Sequence, residues 1–327
     1  MDDSKGDFMI FEKQILNAYK GMMYTRCDDT ETVFYFSPSD FPNLRAESHP
    51  FTSCEGNLLK GYVYYYDNPI QNRIVVFDHG FGGGHRAYMK EIEKLCKHGF
   101  MVFAYDHTGC MESGGATPGG LAHSLCDLND CINMIKSDKR FQNLDISVMG
   151  HSWGAFSTLN IAAFHSDISH IVAMCGFVSV EEMTKTFFSG LLKGYQKAVF
   201  ELEKNTNPYF ADFNAIATLS KSNVKALLIY SDNDQMCRRV HHDMLKEALE
   251  DKKNVNIMLC HNKGHNPNYT EEAVKLVDEF GKARAKFAKK KNATREEKAQ
   301  FVSSFDFDAM TVQDEAVWNE IFKHLDN

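Results

Sequence analysis

Gly150-His151-Ser152-Trp153-Gly154 sets a hydroxyl nucleophile between two glycines, directly after the apolar run Ile146-Ser147-Val148-Met149. A serine on a sharp strand-to-helix turn projects its hydroxyl above the strand end, and the flanking glycines let the strand and helix backbones pass closely. At average composition this pentapeptide arises by chance in about one chain of this length in ten, so the strand before it and the apolar helix after it carry the argument. A serine hydroxyl is a poor nucleophile until a base takes its proton, and the base needs a carboxylate to hold its tautomer. Two later strand ends offer these groups. Asp234 closes the turn Ser231-Asp232-Asn233-Asp234 after an apolar run, and His265 lies in Asn262-Lys263-Gly264-His265-Asn266 after another. Ser152 is therefore expected as nucleophile, His265 as general base and Asp234 as its orienting acid. Asp232 can reach a histidine from the same turn and is the alternative acid; His261 is the alternative base. His241 and His242 read as surface or structural residues, and His151 as a packing residue pointing away from Ser152.

Acyl transfer also needs donors for the developing oxyanion. His79-Gly80-Phe81-Gly82-Gly83-Gly84 follows a strand-like run and lets backbone N–H groups approach a carbonyl oxygen. The backbone N–H groups of Phe81 and Trp153 are the expected pair. The loop lacks the Lys-Ser/Thr of a phosphate-binding loop and the G-x-G-x-x-G spacing, which argues against a nucleotide.

These groups need a scaffold that brings distant strand ends together. From Arg73 onward, short β-branched runs alternate with helical segments, the signature of a mostly parallel sheet covered on both faces. Reactive groups gather at the carboxyl ends of such strands. Before it, Phe8 to Tyr24 reads as a helix with Phe11, Ile15, Leu16, Tyr19, Met22 and Met23 on one side, followed by strand-like stretches at His49–Cys54 and Leu58–Tyr66. The connection from Val178 to Asn223 is too long for a plain crossover and reads as a helical cap inserted over the site. Phe187, Phe188, Leu191, Leu192 and Tyr195 are expected on one helical face; a break at Asn205–Pro208 precedes a second short helix from about Phe210.

The 327 residues, 43% apolar and 24% charged, suit a single large domain. A net charge of −8 offers no footprint for nucleic acid. The basic stretch from Lys282 to Lys298 reads as a solvated helix end. Nine scattered cysteines without C-x-x-C pairs argue against a disulfide framework or a structural zinc site and fit a reducing cytoplasm. The acidic N-terminus has no signal-peptide pattern, and no apolar run is long enough to span a membrane.

His79-Gly-Phe-Gly with Tyr88, the stretch Gly99 to Gly109 containing Asp106, and Gly150 to Gly154 together resemble the α/β-hydrolase superfamily, most closely its serine aminopeptidase and monoacylglycerol-lipase-like branch. The resemblance spans about residues 48–285 and departs at Ser231, where the family usually has glycine. It implies one α/β-hydrolase domain over 1–327, with its core at about 48–177 and 224–285, a cap at 178–223 and a C-terminal extension at 286–327. It also implies the chain order Ser, Asp, His. The expected activity is cleavage of a small-molecule carboxylic ester through an acyl-enzyme, with an apolar or aromatic acyl group suggested by the aromatic-rich cap. No metal or organic cofactor is required. An aminopeptidase or amidase, holding a substrate ammonium with Glu181, Glu182, Glu201 or Glu203, uses the same triad, as does a thioesterase. A hydrolase-like binding protein without turnover is the alternative from another class.

Overall fold

The computed structural model describes residues 3–67, 69 and 72–327, with side chains described from Phe11 onward. Helix α1 (Asp3–Met23) opens the chain, but its inward side is narrower than the expected stripe. Tyr19 and Met23 are buried and Ile15 and Leu16 half-buried, whereas Phe11 and Met22 are exposed. Contact follows the i, i+4 row, as it does when a helix rests on a single neighbour. A ribbon of β2 (Phe51–Thr52) and β3 (Leu58–Leu59) and strand β4 (Gly61–Tyr65) fall in the two stretches read as strands, whereas β1 (Arg45–Ser48) precedes them both.

The alternating part follows. It runs β5 (Arg73–Asp78), α2 (Met89–Lys97), β6 (Met101–Tyr105), α3 (His123–Ser137), β7 (Asp145–His151), α4 (Trp153–Asn160) and β8 (His170–Met174). After the insertion come β9 (Lys225–Ser231), α8 (Val240–Ala248 in chain order after the insertion's three helices), β10 (Val255–Cys260) and α9 (Glu271–Phe287). Eight strands form one sheet in the order β1-β4-β6-β5-β7-β8-β9-β10. The six from β6 to β10 in that order are parallel; at one edge β4 runs antiparallel to β6, and β1 antiparallel to β4.

Period-two alternation sorts each strand between two cores. Ile74 and Val76 face a core shared with α3 and α4, and Val75 and Phe77 face one shared with α2. All four are fully buried, each contributing roughly 1.5–3 kcal/mol. Beyond α9, helices α10 (Arg295–Ser303), α11 (Phe307–Met310) and α12 (Glu315–Asp326) complete the chain. The segment read as an extension is part of the second core: Val317, Trp318, Ile321 and Leu325 of α12 are buried beside β8 and β9.

Between β8 and β9 stand α5 (Val180–Phe187), a 3-10 turn over Gly190–Tyr195, α6 (Gln196–Thr206) and α7 (Ala215–Lys221). The expected single stripe does not form. α5 stops at Phe187, and Gly190 takes φ +62°, a left-handed value that breaks the helix. Phe188 is buried with its ring 5.9 Å from that of Tyr19, whereas Leu191 is fully exposed and Leu192 38% exposed. The second short helix starts at Ala215 rather than Phe210, because the Asn214 side chain caps it by accepting from the N–H groups of Ile216 and Ala217.

All nine cysteines are free. Among the described residues no helix is long and apolar enough to cross a membrane.

Candidate active site

Ser152 sits between the end of β7 and the start of α4 with φ 55° and ψ −112°, a strained conformation for a non-glycine residue. The glycines around it are required by close approach. A Cβ on Gly154 would stand 2.1 Å from the Asp78 carbonyl oxygen, and one on Gly150 2.3 Å from Thr158 Oγ1. The Ser152 carbonyl already accepts from the N–H groups of Ala155 and Phe156. The first N–H groups of α4, beginning with Trp153, have no acceptor within the helix and are available to an oxyanion.

The loop after β5 is held on several sides. The His79 Nδ1–H donates to the Gly80 carbonyl at 2.7 Å, and His79 Nε2 accepts from the His107 N–H at 3.0 Å. This fixes the peptide plane whose other end is the Phe81 N–H. Burial, reinforced by neighbouring His107, pushes the His79 imidazole down to about 3, so it stays neutral in this arrangement. Behind the loop, Asp106 accepts from the N–H and Nδ1 of His85, and a Cβ on Gly84 would meet its carboxylate at 2.6 Å. The Phe81 ring lies edge-on to Trp153, 5.1 Å away.

Beneath the loop, His107 is enclosed between two carboxylates. Its Nδ1 is 3.2 Å from Asp127 Oδ2, and its Nε2 is 2.8 Å from Asp78 Oδ1 in an ion-pair contact that is poorly aligned as a hydrogen bond. Tyr105 and Ser157 also donate to Asp78. Burial works against the imidazolium, but the two carboxylates outweigh it and raise His107 to about 9. The stabilisation this provides is complete below the ordinary imidazole value of about 6.5 and is lost as pH rises through 9. His107→Gln is therefore expected to destabilise the fold by about 3–5 kcal/mol at neutral pH, since it removes the cation shared by two buried carboxylates. Denaturant melts at pH 7 and pH 10 check this, and the deficit is expected to shrink at the higher pH.

The acid and base turns are stitched together residue by residue. His265 Nδ1–H donates to Asp234 Oδ2 at 2.7 Å, while Asp234 Oδ1 accepts from the N–H groups of Met236 and Cys237. Asp234 is buried and His265 partly exposed. The alternative acid and base pair with one another: His261 Nδ1 lies 2.7 Å from Asp232 Oδ2 at the surface. Asp232 also accepts from the Asn262 N–H, Asn233 Oδ1 from the Gly264 N–H, and Ser231 Oγ from the Lys263 N–H. Ser231, the departure from the family pattern, thus holds the base turn with a hydroxyl that glycine lacks. The Ser152 side chain lies beside this assembly, near the buried Cys237 thiol.

Several supporting residues had no signal in the sequence. Lys263 is buried, and its Nζ donates to the Tyr269 carbonyl at 2.8 Å and to Asp314 Oδ2 at 2.6 Å. Asp314 is the N-cap of α12, so the C-terminal segment anchors the turn that carries His265. His151 does more than pack: its ring is 4.8 Å from that of His265, and its Nε2 is 2.6 Å from the His265 carbonyl oxygen. His241 is buried under the insertion, 3.2 Å from Thr186 Oγ1, and His242 is buried as well. Glu203, proposed from sequence as an ammonium ligand, is fully buried and accepts from Tyr19, Tyr24 and the Leu121 N–H. It ties α6 to α1. Glu181 and Glu182 pair with Lys185 on their own helix.

Among the described residues, Cys175, Asp234 and His265 bring donor atoms within 4.8 Å of one another, as do Cys54, Cys126 and Asp130. In the first group Asp234 and His265 are engaged with each other, and burial beside Asp234 drives the Cys175 thiol well above its ordinary value, so it is a neutral neighbour rather than a thiolate ligand.

Known proteins share this architecture. A cutinase of Thermobifida cellulosilytica is 25% identical over 225 residues, which is 58% of this chain and 84% of the cutinase. The cutinase of Thermobifida fusca (strain YX) is also 25% identical over 225 residues, covering 58% of this chain and 73% of its own. Among solved structures, a Pyrococcus furiosus esterase superposes with a TM-score of 0.57 at 17% identity, over 86% of this chain and 99% of that one. An acetyl xylan esterase from Paenibacillus sp. R4 gives 0.54 at 16% identity, over 80% and 89%. At these identities the structural likeness is one of fold. The profile of the alpha/beta hydrolase fold family matches residues 73–271, from the first residue of β5 to the first of α9. With that match over most of the sheet and its strand-end turns, the chain belongs to the α/β-hydrolase fold family.

Proposed function

We propose that this protein is a serine hydrolase that cleaves carboxylic esters through an acyl-enzyme. Ser152 attacks the ester carbonyl while His265 takes its proton, and Asp234 holds the imidazole in the tautomer with its proton on Nδ1. The N–H groups of Phe81 and Trp153 receive the oxyanion. His265 returns the proton to the leaving alcohol, and water then attacks the acyl-enzyme by the same route in reverse. The observation that carries this reading is the 2.7 Å Asp234–His265 contact at one strand end, with a serine held at φ 55° at another. The similarity to proteins named cutinases and esterases supports an ester as substrate. The amidase reading loses support because Glu203 is consumed inside the fold and Glu181 and Glu182 are paired.

A fluorophosphonate is expected to label Ser152 stoichiometrically; a folded protein that resists labelling would favour a binding protein instead. The acyl group is expected to be apolar. Phe81 lies half-buried at the oxyanion turn, and Met236, just after Asp234, is 51% exposed. Two methylenes buried against such groups contribute about 1.6 kcal/mol, so kcat/KM is expected to rise about tenfold from acetyl to butyryl esters. A panel of activated esters with amino-acid arylamides and acyl thioesters alongside checks this. Faster cleavage of the arylamides or thioesters would replace the ester reading.

A further inference from the structure

We infer that Tyr88 and His151 are positioning residues that join the oxyanion turn, the nucleophile elbow and the base turn into one directional hydrogen-bond chain. The His265 carbonyl can only accept, so the 2.6 Å contact places the His151 proton on Nε2. Burial, with the neighbouring His265, pushes the His151 imidazole down to about 3, which leaves it neutral with a lone pair on Nδ1. The hydrogen in the 2.8 Å contact between Tyr88 Oη and His151 Nδ1 must then come from the phenol. That leaves the Tyr88 oxygen free to accept from the Gly80 N–H at 3.1 Å. Each member has one role available: Gly80 N–H donates to Tyr88, Tyr88 to His151, and His151 to the carbonyl of His265. Burial drives the Tyr88 phenol far above its ordinary value, so the chain persists across the working range of an imidazole base.

The chain links the ends of β5, β7 and β10, three strands that do not all neighbour one another. The Gly80–Phe81 peptide is then held from two directions, by His79 on its carbonyl and by Tyr88 on the preceding N–H. The closeness is built in: a Cβ on Gly80 would stand 2.5 Å from the Tyr88 hydroxyl. Tyr88 is seated by its ring, 5.1 Å from that of Phe77. Its hydroxyl is thus the link between the base turn and the loop that presents the oxyanion donor.

The inference rests on the serine-hydrolase reading above. Tyr88→Phe keeps the ring and removes only the hydroxyl, leaving the Gly80 N–H and His151 Nδ1 without partners. Its kcat on an activated ester is expected to fall about 10–100-fold with KM within about threefold, the loss typical of a misplaced catalytic group. Assays at a fixed interval below each variant's melting temperature separate this from instability. His151→Gln can still donate to the His265 carbonyl and accept from Tyr88, so it is expected to keep kcat within about fivefold, whereas His151→Leu is expected to match the loss in Tyr88→Phe. Tyr88→Phe with kcat within threefold of wild type, or equal losses in the glutamine and leucine variants, would overturn the chain. Ser152→Ala run in parallel keeps the failures distinct: if it stays active, the serine reading and the chain's positioning role fall together, whereas an inactive Ser152→Ala beside an unaffected Tyr88→Phe overturns the chain alone.

Discussion

Ser152→Ala is expected to fold normally and to hydrolyse an activated ester about 10⁴-fold or more slowly than wild type, the scale seen when a triad member is removed. The substitution deletes one oxygen that no buried charge depends on. It leaves the close contacts of Gly150 and Gly154 untouched. The backbone conformation at φ 55° is as strained for alanine as for serine, so the melting temperature is expected to move little. Residual turnover would come from the Phe81 and Trp153 amides acting on bound ester with water as nucleophile. Steady-state rates and fluorophosphonate labelling of the same preparation are the measurements, and activity within tenfold of wild type would sink the assignment of Ser152.

The second large effect separates two aspartates two residues apart. Asp234→Asn is expected to lower kcat by about 10⁴-fold, and Asp232→Asn by less than about fivefold. The reason is directional. Asp234 Oδ1 accepts from two backbone N–H groups, so the replacing amide turns its oxygen toward them and its NH₂ toward His265. An NH₂ facing Nδ1 forces the imidazole proton onto Nε2, the nitrogen that must accept from Ser152. Asp232, by contrast, holds the Asn262 N–H and the exposed His261, and an amide oxygen preserves the first of these. Its loss should appear as a small drop in stability. Parallel kinetics of the two variants decide the matter, and the reverse ranking would exchange the roles of the two aspartates.

Much of this site was legible before any coordinates. The elbow around Ser152 is written in local sequence, because a strand, a tight turn and an apolar helix each have a pattern and the glycines sit where backbones must pass. The parallel sheet was legible for a related reason: strands buried on both faces read as unbroken β-branched runs, and Ile74 to Phe77 are buried to either side. α9 opens at Glu271 because Thr270 caps it by accepting from the Ala273 N–H, a start that the Thr-Glu-Glu sequence already marks.

The insertion was misread in detail because periodicity assumes an unbroken helix. Gly190 at positive φ interrupts that assumption, and the register of Phe187 to Tyr195 is lost with it. The C-terminal segment carried no motif, yet α12 fills the second core and its cap Asp314 holds Lys263. Neither fact has a local signature, for burial and ion pairing depend on what arrives from elsewhere in the chain.

The sequence by itself determined the fold class, the serine elbow and the two turns that offer an acid and a base. Each of these is a property of a few contiguous residues. Which acid meets which base was decided only in the tertiary structure, because Asp232 and Asp234 differ in the direction their side chains leave one turn. Strand pairing of β9 with β10 sets the two turns side by side, so Asp232 falls opposite His261 and Asp234 opposite His265. The burial that separates a neutral His79 or His151 from a charged His107 arises in the same way, from neighbours contributed by strands far apart in the chain.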